Sequence, residues 1–258
     1  MHNRNKHLLA MSFLAAGLLS SAANATIVEL QTNQGNIKIN LFDQTTPATV
    51  ANFLSYVNKD AFDETVFHRA VKGFVLQGGG FIYDGKLRLS PVATDAAVIN
   101  EPKHSNVKGT IAMAKLENNP NSATNQWFIN LTNNNNASNP LNLDVQNGGY
   151  TVFGQVVEGD MAVVEGIMNL TICKEAPLIN YTAAQCTANT VIAGENFVKI
   201  MNVNILDTDP ASATNAGIVP VENTLIKAAP ADKSDSSSGS LSALLLGLIG
   251  FVGMRRLK

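Results

Sequence analysis

The chain is poor in the side chains that usually carry chemistry. Its 258 residues hold four histidines, two cysteines and one tryptophan, and only 15% of them are charged. His2 and His7 fall at the extreme start, which leaves His68 and His104 for the rest of the chain. Neither has a histidine one helical turn away and no CxxC pair is present, so no metal site is expected. There is no G-x-S-x-G elbow, and Gly78-Gly79-Gly80 is not followed by the Lys-Ser/Thr of a phosphate-binding loop. Those glycines suit a tight bend at a barrel corner instead. Internal repeats are absent. Between residues 26 and 240 stand 13 basic and 20 acidic residues, a net charge of −7. That favours solubility and argues against nucleic acid as a partner, which would need a basic patch.

What is present begins with the ends. Residues 1–25 run from Arg4 and Lys6 through an apolar stretch, Leu8 to Leu19, to Ala23-Asn24-Ala25. A cationic start, an apolar run and an A-x-A site form the layout of a secretory signal peptide. Residues 207–240 read as a flexible linker ending in KSDSSSGS. Residues 241–258 are an apolar segment, LSALLLGLIGFVGM, closed by Arg255, Arg256 and Lys258. Fourteen apolar or small residues are fewer than the ~20 that comfortably span a bilayer. Linker, short apolar segment and basic tail resemble the C-terminal sorting signals of Gram-negative bacteria. The expectation is an exported protein of the periplasm or cell surface, with membrane contact through this segment if it is retained. In an oxidising compartment Cys173 and Cys186 invite a disulfide, which could contribute up to ~3 kcal/mol. Two free thiols are the alternative.

Residues 26–206 are long enough for one domain with a substantial core. IVELQT and NIKINLF alternate apolar and polar residues across an NQG turn, the pattern of a hairpin. Thr46-Pro47 offers an N-cap and a first-turn proline to a helix with Val50, Phe53, Leu54 and Val57 on one face. A second helix is expected over GDMAVVEGIMN. Further strands are expected at TVFHRAV, FVLQG, GTIAMAK, NQWFINL, YTVFGQV and NFVKIMNVNIL. Many short strands and two isolated helices favour a closed or nearly closed antiparallel barrel. The Asn-rich NLTNNNNASNPLNLDVQNGG reads as a long loop.

One stretch poses a chemical question. FHRAVKGFVLQGGG, residues 67–80, places Arg69 and Gln77 on an apolar surface with no nucleophile or carboxylate among them. On a strand, His68 would point to the face opposite Arg69. Followed in order by GTIAMAK, NSATNQWFINLT and GGYTVFGQVVEGD, the stretch resembles the cyclophilins, peptidyl-prolyl cis-trans isomerases. The resemblance runs across nearly all of residues 26–206. It implies a mainly β fold, a closed eight-stranded antiparallel β-barrel capped by two α-helices, with no cofactor and no metal. It further implies proline-containing polypeptides as partners, monomeric action, and a role in folding exported proteins.

The resemblance assigns residues as follows. Arg69 matches the catalytic arginine, Phe74 the aromatic at the floor of the proline pocket, and Gln77 the glutamine that orients the arginine. Ala114 matches the alanine after the family's methionine, here Met113, whose backbone meets the peptide. Gln126 and Phe128 match the next glutamine and the pocket phenylalanine. They share a strand face, so Trp127 between them belongs to the core. Val75 stands where many members have methionine, and Lys115 where eukaryotic members have asparagine. The loop that closes the pocket reads NPLNLDVQNGGY, with Leu141 or Leu143 as its leucine and neither histidine nor tryptophan. Weak cyclosporin binding is expected from that loop. A binding module with little turnover, or an adhesion unit delivered by the tail, are the rival readings.

Overall fold

The alternation in the first 16 residues of the domain builds its first hairpin. In the computed structural model, which describes residues 26–207 apart from 87, 137, 139 and 140, and residues 218–226, β1 (Ile27–Thr32) pairs antiparallel with β2 (Gly35–Leu41). Val28 faces Ile39 and Leu30 faces Ile37, and all four are fully buried. Each such side chain removed from water contributes about 1.5–3 kcal/mol.

The remaining strands are short: β3 (Thr65–Val66), β4 (Arg69–Val71), β5 (Val75–Gly78), β6 (Phe81–Ile82), β7 (Ser90–Pro91), β8 (Thr110–Met113), β9 (Trp127–Asn130) and β10 (Val152–Val156). After them come β11 (Thr171–Cys173), β12 (Ala176–Leu178) and β13 (Lys199–Asp207). The sheet runs β4-β5-β9-β8-β10-β2-β1-β13-β3-β6-β7, and β11 with β12 forms a separate hairpin.

One stretch of chain links β4, at one end of that order, to β3 near the other. β3 pairs with β13 and β4 pairs with β5, yet only Phe67 and His68 separate them. Phe67 N donates to Val198 O and His68 N to Gln77 O, so each residue serves one side of the seam. The expected single strand TVFHRAV is thus split by a change of partner, and the curled antiparallel sheet closes through it. The strand count exceeds the expected eight because short pieces of ladder, β6 and β7 among them, join the edges.

Leu76, Ile111, Ile129 and Trp127 point inward and meet both expected helices, α1 (Pro47–Val57) through Val50, Phe53 and Tyr56 and α2 (Met161–Met168) through Val164 and Ile167. A third short helix, α3 (Ala183–Thr187), was not expected. Pro47 occupies the first turn of α1, but Thr46 makes no side-chain cap. Its hydroxyl donates to Phe42 O. Glu101, far along the chain, accepts from Thr49 N at 2.9 Å and from Thr49 Oγ1 at 2.8 Å. A carboxylate satisfies the free N–H groups and meets the positive end of the helix dipole.

The signal sequence expected over 1–25 and the apolar segment over 241–258 lie outside the described residues. Among the described residues no helix is long and apolar enough to cross a membrane. The expected linker, 207–240, is described at Asp207, where β13 ends, and over 218–226. Residues 218–226 are no free linker. They lie on the domain, with Asn223 only 1% exposed and His104 bridged to Glu222.

Candidate active site

Strand register brings the candidate residues together. Arg69 of β4 sits opposite Gln77 of β5, Gln77 opposite Phe128 of β9, and Phe128 opposite Ala112 of β8. Because side chains alternate across a sheet, this row faces outward, while its neighbours Ala70, Leu76, Ile129 and Ile111 enter the barrel. On the outward face Phe74, Val75, Ala112, Phe128, Leu143 and Tyr150 form a second apolar cluster. Ala114 and Leu141 pack against its rim. Next to it lies a groove of about 220 Å³ whose lining includes Arg69, Gln77, Ala114, Lys115, Gln126 and Tyr150.

The polar groups are tied to one another. Gln77 Nε2 donates to Gln126 Oε1 at 3.0 Å. The ring of His68 lies edge-on to Phe81 at 4.8 Å. Burial, aided by the charge of Arg69, pulls the His68 pKa down to about 4, so the imidazole is neutral near pH 7. Arg69 is 2% exposed. Burial lowers its pKa, and the opposing influence comes first from Glu175 and then from Tyr150. Glu175 Oε1 stands 4.0 Å from Arg69 Nε.

Two glycines set how closely these strands approach. Gly79 has φ +82, and a Cβ there would fall 2.6 Å from Asn125 O and from Trp127 Nε1. At Gly80 it would fall 2.6 Å from Gln126 Cγ. Gly79 and Gly80 therefore serve close contact with the Asn125–Trp127 segment, a stronger constraint than a bend alone.

Most of the side chains singled out from the sequence meet here, and that of Met113 does not. Its side chain, opposite Trp127, is 1% exposed inside the barrel. It lies one residue out of phase with Ala112 and Ala114, which face the cluster. Leu143 is fully buried in the cluster, whereas Leu141 is partly exposed beside it. Trp127 is fully buried in the core.

Sequence reasoning missed Tyr150. Its ring stands edge-on to Phe128 at 5.8 Å and occupies the wall left without a histidine. Burial raises its pKa. Lys115 was singled out only as a departure, yet it is 7% exposed and braces this wall. Its ammonium donates to Gly149 O at 2.7 Å, Asn147 O at 2.8 Å and Asn100 Oδ1 at 3.3 Å, and lies 4.7 Å from the centre of the Tyr150 ring.

The Asn-rich stretch is likewise structural. Asn134 Nδ2 donates to Phe74 O at 3.0 Å and Asn130 Oδ1 at 2.7 Å. Asn130 Nδ2 reaches Asn106 Oδ1, and Asn106 N reaches Asp144 Oδ1. Leu143 N donates to Asn134 O. Buried carboxamides with satisfied partners hold the pocket floor and its loop in register.

The curled antiparallel sheet thus brings a buried guanidinium, two linked carboxamides and an apolar cluster together on one outward face. The family model described as "Cyclophilin type peptidyl-prolyl cis-trans isomerase/CLD" matches residues 27–188. A peptidyl-prolyl cis-trans isomerase of Acinetobacter baylyi is 42% identical over 168 residues, covering 63% of this chain and 84% of that protein. Peptidyl-prolyl cis-trans isomerase B of Escherichia coli is 41% identical over 143 residues, 55% of this chain and 83% of that one. A crystal structure of a Cryptosporidium parvum cyclophilin-type isomerase with the dipeptide Ala-Pro covers 70% of this chain and 99% of its own, with a TM-score of 0.50 at 23% identity. The chain belongs to the cyclophilin-type peptidyl-prolyl cis-trans isomerases, and it is an enzyme of that activity.

Proposed function

We propose that Arg69 supplies the electrostatic part of this isomerisation and that the cluster around Phe74 and Phe128 grips the proline ring. Rotation about a peptide bond crosses a barrier of about 18–20 kcal/mol because it breaks amide conjugation. In the twisted state the prolyl nitrogen regains its lone pair and accepts a hydrogen bond. A group that donates better to that nitrogen than to the planar amide lowers the barrier. A guanidinium is always charged and carries several N–H groups on one rigid plane. Gln77 and Gln126, joined to each other, hold the substrate backbone beside it, and Ala114 meets the peptide at the rim. The observation that carries this reading is the cross-strand row Arg69–Gln77–Phe128 beside the groove.

The substrate is a proline-containing polypeptide. The Cryptosporidium parvum relative has been crystallised in the presence of Ala-Pro. The chain acts as a monomer on exported proteins, and its tail gives membrane contact if retained. Support for export comes from the layout of residues 1–25 and from the Cys173–Cys186 disulfide, because such bonds persist in oxidising compartments.

NMR exchange on an Ala-Pro-containing peptide tests the assignment. Arg69→Ala should lower the rate constant by roughly 10²–10³, the scale for removing one preorganised donor, with its fold intact by circular dichroism. Equal rates in the variant and the parent would remove Arg69 from the mechanism.

A further inference from the structure

Residues 218–226 lie beyond the stretch that the family model matches, 27–188, yet they are fastened to the wall of the pocket. The segment runs antiparallel to residues 103–105: Ser105 N donates to Val221 O at 2.8 Å and Asn223 N to Lys103 O at 2.9 Å. Asn223 Nδ2 then donates to Asp144 O at 2.8 Å, while its Oδ1 accepts from Leu225 N and Ile226 N. Both polar atoms of this buried side chain, and its backbone N–H, thereby have partners. Asp144 follows Leu143 directly, and its carboxylate accepts from Ser105 Oγ and from Asn106 N and Nδ2. Ile218 packs against the outward cluster that contains Phe74, Phe128, Leu143 and Tyr150.

We propose that Ile218–Ile226 is a strap that holds the pocket loop, residues 141–150, in its binding conformation, with Asn223 as the positioning residue that couples the two. The loop has no regular ladder of its own beyond one short 3-10 turn at Gln146–Gly148. Its shape depends on partners elsewhere: Lys115 on one side, Asn134 and Asn106 beneath, and the strap behind Asp144. A loop held by few contacts opens locally at low cost, and an open loop would leave Leu143 and Tyr150 out of place. The strap therefore acts on how tightly the peptide is held, and not on the donor that stabilises the twisted bond. The inference rests on the reading of this cluster as the proline pocket.

The test uses the full chain in two forms, Asn223→Ala and the double variant Ile218→Asp/Asn223→Pro, the second removing both the apolar contact and the N–H that reaches Lys103. Neither changes a residue of the barrel, and thermal unfolding reports whether the barrel stays folded. Hydrogen exchange at Leu143, Gly149 and Tyr150 should accelerate by about tenfold or more while Ile111 and Ile129 are unchanged. For a proline peptide, KM should rise about fivefold with kcat within a factor of two. Unchanged exchange in the double variant would overturn the strap. A lower KM would also overturn it, by making the segment a cover that the substrate displaces. The exchange readout does not depend on turnover, so failure of the Arg69 assignment would be seen separately.

Discussion

Glu175 Oε1 lies 4.0 Å from the Nε of Arg69, and the backbone of the same glutamate accepts from Ala70 N at 2.7 Å. Lys174 and Glu175 form the turn of the β11–β12 hairpin, both at positive φ, and Cys173 beside them is bonded to Cys186. A stapled hairpin thus carries a carboxylate to the edge of the buried guanidinium.

Glu175→Gln should lower kcat about threefold with little change in stability, because an ion pair with so exposed a carboxylate, 54%, contributes at most ~1 kcal/mol. Removing the disulfide with Cys186→Ser should cost more stability, up to about 3 kcal/mol in the chain-entropy picture. Denaturant unfolding and the peptide exchange assay separate the two. A loss of stability from Glu175→Gln as large as that from Cys186→Ser would contradict this division.

Tyr150→Phe should keep nearly all activity, since the ring, edge-on to Phe128, fills the wall. Tyr150→Ala should raise KM and destabilise by about 3–5 kcal/mol, the cost of a large aromatic truncation in a packed cluster. Steady-state kinetics on both variants check it.

Two buried bases shape the response to pH. Unfolded His68 would take a proton below 6.5, but in the fold it does so only near 4. The unfolded chain therefore binds more protons between those values, and stability from this group falls as pH drops from 6.5 to 4. Lys115 is held down to about 8 by burial, against 10.5 when free. The unfolded chain again binds more protons, so stability from this group rises with pH between 8 and 10.5. His68→Gln should flatten the acid slope and Lys115→Met the alkaline one in urea titrations. Turnover should be level between about pH 5.5 and 7.5, because rotation uses no acid or base.

Gly79→Ala should destabilise by about 2–3 kcal/mol and disturb the Asn125–Trp127 segment that carries Gln126. The new Cβ would combine positive φ with a 2.6 Å approach to Asn125 O. Thermal unfolding measures the first effect, and the amide shifts of Asn125–Trp127 report the second.

Strand alternation was enough to set Gln126 and Phe128 apart from Trp127 between them, because a side-chain period of two is a local property of extended backbone. The same period shows why Met113 turned inward: it adjoins Ala112 and Ala114, so all three cannot face the peptide. Tyr150 could have been found by asking which large side chain fills a wall without histidine. Its place depends on a loop whose shape no local rule gives. The asparagines looked like loop residues for a similar reason. Carboxamides favour turns when exposed, and only burial between Phe74, Thr110 and Asp144 converts them into a scaffold.

Taken by itself, the sequence determined the longer strands, the first two helices, the family and the candidate residues, since each rests on short-range periodicity or on an ordered set of motifs. The tertiary structure decided what needs contacts between distant segments. It set Glu101 at the start of α1, Glu175 beside Arg69, Lys115 under Tyr150, and Asn223 against Asp144. Each of these is a charged or polar side chain whose partner is fixed by how the barrel closes, and closure is a property of the whole chain.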